Sequence, residues 1–170
     1  MLLELLFVLL IVAVLLTAGL PAMSWLALDA RRTADINALV SSIQLARSES
    51  AKRGAAVIVC KTRDHRVCAG SEAHFENGWM VFVNEDGDYP PRVDINESLL
   101  FSYEPTSRGT IRSNRLRYDF RPYYRRSTNG TVTFCDRRGA SAARAVIVSY
   151  TGRPRVSDRG PGGRRLECAD

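Results

Sequence analysis

The apolar residues of this chain are concentrated at its start, where no charged side chain occurs from residue 5 to residue 28. Residues 5–16 are an almost unbroken run of leucine, valine, isoleucine and phenylalanine, which predicts a helix that spans a bilayer once. A secretory signal would carry a basic region ahead of its apolar core, whereas the early charge here is the carboxylate of Glu4. The pattern therefore favours a transmembrane segment over residues 1–28.

Two residues stand out in this first segment. A carboxylate at the edge of a membrane helix is costly to bury, so Glu4 is expected to meet a partner such as an ammonium group on a neighbouring chain. The alternative is that Glu4 lies among the lipid headgroups. Pro21 is expected to kink the helix or to mark the point where it leaves the membrane.

Beyond Pro21 the pattern becomes amphipathic, because apolar residues recur at three- and four-residue steps among charged ones. Gly54 follows Lys52 and Arg53, and a glycine after a basic last turn is typical of a helix end. We therefore predict one long N-terminal helix, transmembrane over residues 1–28 and amphipathic over residues 29–54. The apolar positions of the second half are Leu28, Ile36, Leu39, Val40, Ile43 and Ala46.

The remaining residues, 55–170, alternate short apolar runs with turn-rich segments, which predicts strands. A helix followed by a series of antiparallel strands is an α+β layout, and the length suits a single domain. The segment 157–165 is rich in glycine, proline and arginine and is expected to be loop. The predicted strands are residues 56–60, 79–83, 99–103, 116–120, 131–135 and 145–150.

Four cysteines occur in the part of the chain that the membrane segment would place outside the cytoplasm, which favours two disulfides. The spacing favours Cys60 with Cys68, closing a short loop, and Cys135 with Cys168, tying the tail to a strand. The other two connectivities stay open at this stage. No Cys-x-x-Cys is present and the two histidines have no usual ligand spacing, so we expect no metal and no cofactor.

The positive charge lies in the C-terminal half. The chain carries 24 basic and 18 acidic residues, and residues 108–165 contain 15 arginines against three aspartates. An arginine cluster binds phosphate in bidentate fashion, and interleaved aromatic residues would stack on single-stranded bases. The alternative is a solvated face in an arginine-rich chain. The aromatic residues among these arginines are Tyr118, Phe120, Tyr123 and Tyr124.

Enzymatic activity is not expected. The sequence contains no Gly-x-Ser-x-Gly element, no Walker-type loop and no dinucleotide fingerprint. Neither His65 nor His74 has an evident nucleophile partner in the sequence. The acidic segment 85–88 could bind a calcium ion loosely, but a solvated turn is the simpler interpretation.

Taken together, Glu4, Pro21 and four further segments resemble the minor pseudopilins of the FimT and type II secretion H class, within the type IV pilin superfamily. This resemblance implies a type IV pilin-like fold, in which a long N-terminal helix packs on an antiparallel β-domain. It also implies cleavage by a leader peptidase and N-methylation, at a site that this sequence does not show. The four segments are residues 45–53, 78–82, 134–139 and 148–155.

FimT-like proteins carry a Gly-Arg-x-Arg element near their C terminus, and Gly152, Arg153 and Arg155 match it here. In that subfamily the element implies sequence-independent binding of incoming DNA during natural transformation. We expect it in a turn at the end of an apolar strand, with Arg137, Arg138 and Arg159 adding to the same surface. The alternative is a structural turn whose arginine pairs with Asp136 or Asp158.

The resemblance implies a subunit anchored in the inner membrane by a single pass, with its C-terminal domain in the periplasm or on the pilus. Its partners would be other pilin or pseudopilin subunits, met through Glu4 and Pro21, together with DNA. A purely structural pseudopilin of type II secretion is the alternative. A lone membrane-tethered binding domain would require Glu4 and Pro21 to be incidental.

Overall fold

The computed structural model describes the backbone of residues 2–122 and 127–168, and within it the side chains of all residues except 2, 16 and 18–22. In these residues one long helix precedes eight strands, as the α+β prediction requires. Short 3₁₀ turns occur at Phe75–Asn77, Gly139–Ser141 and Pro161–Gly163. The helix and strands are α1 Leu2–Arg53, β1 Ala56–Lys61, β2 Trp79–Asn84, β3 Leu99–Tyr103, β4 Thr110–Ser113, β5 Arg117–Phe120, β6 Gly130–Cys135, β7 Arg144–Val148 and β8 Pro154–Ser157.

Helix α1 continues past Pro21 and ends where the sequence predicts. Gly54 has a φ of 67°, and its N–H donates to the carbonyl of Ser50 at 3.1 Å. A glycine in this left-handed conformation ends a helix without the steric cost that a side chain would add. Within the described part of the chain, no helix is both long enough and apolar enough to cross a membrane.

The strands form two antiparallel sheets, with the orders β3-β2-β1-β5 and β4-β6-β7-β8. The second half of α1 packs on both sheets, and Ile36, Leu39 and Ile43 are buried there. Val57 and Val59 from β1 join the same cluster, as do Val146 and Val148 from β7. The main core therefore lies between the helix and the inner faces of the two sheets.

Each sheet is also covered on its outer face. Ile58 and Cys60 of β1 point away from the helix and pack with Cys68, which belongs to the loop after β1. On the second sheet, Ile147 packs with Leu166 from the C-terminal tail. The central strands are therefore buried on both faces, which explains why their sequences are continuous apolar runs.

Asp35 attaches α1 to the loop after β3. Its carboxylate is fully buried and accepts hydrogen bonds from the hydroxyl of Tyr103 at 2.9 Å, the N–H of Thr106 at 2.9 Å and the N–H of Ser107 at 3.0 Å. Burial, together with the bond to Asp35, raises the pKa of Tyr103 to about 12. A buried carboxylate is tolerated when backbone and side-chain donors satisfy it, as they do here.

Candidate nucleic-acid interface

The Gly-Arg-x-Arg element begins in a tight turn between β7 and β8. The N–H of Ser149 donates to the carbonyl of Arg153 at 3.0 Å, and the N–H of Gly152 donates to the carbonyl of Ser149 at 2.9 Å. The side-chain oxygen of Ser149 also accepts from the N–H of Arg153 at 3.2 Å. These bonds fix the backbone that presents the first arginine.

Only part of the element lies in that turn. The sequence predicts a turn for all four residues, but Pro154 and Arg155 already belong to β8, where Arg155 pairs with Ile147. Strand β8 is an edge of the second sheet, and a proline is tolerated at an edge because no ladder bond is lost there. Arg153 and Arg155 are both exposed. Residues two apart in an extended chain point to the same side, about 7 Å apart.

The C-terminal tail lies against the same outer face. The disulfide between Cys135 and Cys168 ties the tail to β6, and Leu166 is buried with Ala145 and Ile147. Arg159, Arg164 and Arg165 of the tail are exposed. The edge strand and the tail together therefore present five exposed arginines, which we call the β8 surface: Arg153, Arg155, Arg159, Arg164 and Arg165.

The structure separates Arg137 and Arg138 from the turn that carries Arg153. Both follow the C-terminal end of β6, whereas the 149–153 turn lies beside its N-terminal end, because Gly130 pairs with Val148. The six residues of β6 therefore separate Arg137 and Arg138 from this turn by roughly 17 Å. The expectation that Arg137 and Arg138 share one surface with Arg153 is not supported by this arrangement.

Arg138 is also held inside the protein. Its guanidinium donates to Asp136 at 2.6 Å and to Asp29 of α1 at 2.7 Å, and its side chain is only 11% exposed. Arg32 of α1 donates to Asp29, to Asp136 and to the carbonyl of Ala142. The hydrogen bond from Arg138 holds the pKa of the Asp136 carboxyl below its usual value, despite the opposing effect of burial. Arg138 therefore joins the helix to the β-domain.

Two of the four aromatic residues, Tyr118 and Phe120, are not available as a stacking platform. Tyr118 is fully buried, with its hydroxyl 3.0 Å from that of Ser113, and Phe120 is 3% exposed. The expectation that these two rings stack on bases is wrong, because both fill the core under the helix. Tyr123 and Tyr124 lie outside the described residues.

Both disulfides are confirmed with the favoured connectivity. Cys60 is bonded to Cys68 and Cys135 to Cys168, with Cα–Cα separations of 5.6 and 5.9 Å. Each bond joins a strand to the segment that covers its outer face. The disulfides therefore close the two outer layers of the β-domain.

His65 has partners that the sequence did not reveal. Its Nδ1 lies 2.7 Å from the hydroxyl of Ser102, and its Nε2 lies 3.1 Å from a carboxylate oxygen of Glu104. The side chain of Glu104 is 80% exposed, so water competes with His65 for its carboxylate. Glu104 and Ser102 both stay in contact with solvent, unlike the groups of a closed active site. The three residues fasten the loop after β1 to the edge strand β3.

One cluster of acidic side chains has the composition of a cation site. Carboxylate oxygens of Asp86, Asp94 and Glu97 lie within 4.8 Å of one another. Glu97 accepts from the backbone N–H of Glu85 at 2.7 Å and from that of Asp94 at 3.3 Å, and Asp94 pairs with Arg92. The carboxylates therefore hold the loop residues around them through these hydrogen bonds and this ion pair.

Glu4 lies in the first turn of α1, and the helix runs through Pro21. Large apolar side chains of residues 3–15 are exposed in the isolated chain. The roles of Glu4 and Pro21 in assembly, and the membrane-spanning role of residues 1–28, stay predictions.

A long helix laid across antiparallel sheets defines the type IV pilin fold. Two crystal structures of the type IV minor pilin FimU from Pseudomonas aeruginosa (strain PAO1) are similar to this chain, each with a TM-score of 0.57 and 14% sequence identity. The similarity covers 80% of this chain and 92% or 98% of the FimU chain. It establishes the fold.

The sequence identifies the family to which the chain belongs. The family described as "Type II transport protein GspH" matches residues 35–152, so the chain belongs to that family. No curated protein matches it significantly. The protein is therefore a minor pilin or pseudopilin of the type IV pilin superfamily, as the resemblance implies.

Proposed function

We propose that this protein is a minor pseudopilin that binds DNA without sequence preference and contributes to DNA uptake in natural transformation. In this proposal residues 1–28 anchor it in the inner membrane by a single pass, with the β-domain in the periplasm or on the pilus. The second half of α1 packs on the β-domain. The first half, with Glu4 and Pro21, joins the helices of neighbouring pilin or pseudopilin subunits.

The observation that carries DNA binding is the rigid display of Arg153 and Arg155. Both guanidinium groups are exposed, and neither has a hydrogen bond or ion pair to any other residue that the structure describes. A structural turn held by an arginine–aspartate pair, the alternative from the sequence, would place Arg153 or Arg155 beside Asp136 or Asp158. Asp136 is occupied instead by Arg32 and Arg138.

The β8 surface suits a phosphate backbone better than base edges. Its members come from an edge strand and a tail, and an edge strand does not fill a major groove as a recognition helix does. Arginine forks bind phosphate through two donors at once, and several together give an attraction that salt weakens. We therefore propose Arg153 and Arg155 as the principal contacts, with Arg159 and the tail arginines beside them. Arg137 and Arg138 are not part of this surface.

The test is a titration of the oxidised full-length chain, in detergent micelles, against fluorescent random-sequence duplex DNA at two salt concentrations. We expect Arg153→Gln/Arg155→Gln to weaken binding about tenfold at low salt and to reduce the slope of log affinity against log salt by about two. Glutamine keeps most of the side chain's length while removing its charge, so the fold should be retained.

The matched control is Arg63→Gln/Arg66→Gln, which removes the same charge from two exposed arginines in the loop that covers the first sheet. Its affinity should stay within about twofold of the wild type, since general charge contributes little away from the contact surface. Wild-type protein that binds no DNA at low salt would sink the proposal. The protein would then be a purely structural pseudopilin.

A further inference from the structure

A second group of exposed arginines lies where α1 enters the β-domain, at the opposite end of β6 from the 149–153 turn. Arg31 of α1, Arg108 before β4 and Arg137 after β6 line a groove of about 330 Å³ beside Leu28. All three side chains are exposed. Among the described residues, none forms a hydrogen bond or ion pair with any of the three guanidinium groups.

The charge of this groove is not balanced by its acidic neighbours. Asp136 lines the groove, but its carboxylate is occupied by Arg138 at 2.6 Å and Arg32 at 3.4 Å. Asp29 of α1 is likewise bound by Arg32 at 2.6 Å and by Arg138 at 2.7 Å. The two aspartates therefore match these two arginines, and no described acidic residue compensates the charges of the other three.

An exposed tryptophan stands next to the groove. Trp25 is 58% exposed, and the guanidinium of Arg138 lies 5.7 Å from the centroid of its indole ring. Trp25, Leu28 and Arg137 line an adjoining pocket of about 550 Å³. Tryptophan is enriched at membrane–water interfaces, where its apolar ring and polar N–H are both accommodated.

The rise of the helix places Trp25 and Arg31 near the same surface of the membrane in the proposed anchor. A helix rises about 1.5 Å per residue, so about 20 residues cross a hydrocarbon core of about 30 Å. In the proposed anchor, a span that starts at Leu5 ends at Trp25, and Arg31 lies about 9 Å farther along the axis. This is the level at which phospholipid phosphates are found, within a headgroup layer several ångströms thick.

We propose that the groove lined by Arg31, Arg108 and Arg137 binds the phosphate of an anionic phospholipid, with Trp25 beside it at the interface. The proposal rests on the membrane anchor of the proposed function. Three arginines in one concave site satisfy an anionic phosphate through several donors at once. Binding there would seat this end of the β-domain on the bilayer before assembly, and the turn that carries Arg153 would lie at the opposite end of β6.

The test uses the full-length chain in vesicles that contain equal amounts of phosphatidylglycerol and phosphatidylcholine. In one preparation the phosphatidylglycerol carries bromine atoms on its acyl chains, and in the other the phosphatidylcholine carries them. Quenching of tryptophan fluorescence is measured in both. The chain has two tryptophans, and Trp79 is fully buried in the core, so the quenching reports on lipid next to Trp25. We expect brominated phosphatidylglycerol to quench at least about twice as strongly as brominated phosphatidylcholine.

The variant Arg31→Gln/Arg108→Gln/Arg137→Gln should quench equally with either lipid. Arg63→Gln/Arg66→Gln/Arg92→Gln removes the same charge from the surface of the first sheet and should keep the preference. If the triple groove variant fails to fold, as judged by near-ultraviolet circular dichroism, Arg137→Gln alone should lose part of the preference, because Arg137 lines both pockets.

The outcomes of the quenching experiment separate the headgroup site from the membrane anchor. Equal quenching by the two lipids in the wild type would overturn the headgroup site and leave the anchor standing. An absence of quenching by both lipids would overturn the anchor and the headgroup site together. In the DNA titration, the groove variant should retain the salt-dependent binding contributed by Arg153 and Arg155, because the turn that carries Arg153 lies at the opposite end of β6 from Arg137.

Discussion

At position 152 the conformation and the surroundings both require glycine. Gly152 has a φ of 73°, in the left-handed region that side chains rarely adopt. A Cβ built there would lie 2.8 Å from the Ser127 hydroxyl oxygen and 2.9 Å from a ring carbon of Phe120. Phe120 belongs to the core and has little room to move, so the clash would displace the turn that presents Arg153.

We predict that Gly152→Ala lowers the free energy of unfolding by about 2–3 kcal/mol, from backbone strain and steric overlap together. Thermal or urea unfolding of the full chain in micelles measures this loss. Gly87→Ala is the matched control, because Gly87 has a φ of 71° but no atom within 4 Å of the added Cβ. Its cost should be about 1 kcal/mol. Equal losses in the two variants would show that the contact with Phe120 is unimportant.

Among the elements, the attachment of α1 to the β6–β7 connection rests on a network of opposite charges. Asp29 and Arg32 come from the helix, and Asp136 and Arg138 come from the connection. The Asp136 and Arg138 side chains are only 5% and 11% exposed, so their attraction is screened less than that of a surface pair. The network orients the helix on the second sheet.

The network also makes stability depend on pH. Because the hydrogen bond from Arg138 lowers the pKa of Asp136 in the folded protein, ionised Asp136 stabilises the fold near neutral pH. That contribution is lost as the pH falls from about 4, the unfolded value, through the lower folded pKa. We predict that Arg138→Gln costs about 2 kcal/mol at pH 7 and that this cost decreases as the pH falls below about 4.

Unfolding curves at the two pH values, for the wild type and the variant, measure this difference. Arg155→Gln changes an exposed arginine whose guanidinium has no hydrogen bond or ion pair to a described residue, and it should have little effect at either pH. A cost for Arg138→Gln that is the same at pH 7 and pH 3 would contradict the electrostatic account and leave only lost packing.

For the whole molecule, each disulfide fastens an outer layer to its sheet. Cys60 and Cys68 are 8 residues apart, and the bond covers the first sheet; Cys135 and Cys168 are 33 residues apart, and the bond covers the second. The longer loop constrains the unfolded chain more strongly, so its bond should stabilise the fold more. It also holds the tail arginines beside β8.

We predict that Cys135→Ala/Cys168→Ala lowers the free energy of unfolding by about 4 kcal/mol, and Cys60→Ala/Cys68→Ala by about 2.5 kcal/mol. The first pair should also weaken DNA binding, because it frees the tail, whereas the second pair should not. Urea unfolding and the DNA titration measure the two effects. If the shorter bond proved the more important for both properties, the proposed role of the tail would be wrong.

Local sequence patterns predicted much of this fold. The period of the helix, the glycine at residue 54 and six of the eight strands follow from residues near one another in the chain. The two strands that were missed, β4 and β8, have only four residues each and lie at sheet edges. Such strands need little apolar sequence of their own, since their partners supply the pairing and the burial.

The sequence by itself determined the helix–sheet layout, the favoured disulfide pairing and the arginine-rich character of the C-terminal half. The tertiary structure decided which arginines are available. Arg137 and Arg138 are adjacent in sequence, yet Arg138 meets Asp29, which is 109 positions away, while Arg137 joins Arg31 and Arg108 around a groove. The reason is physical: a charged group is free or occupied according to the neighbours that folding brings to it, and these come from distant parts of the chain.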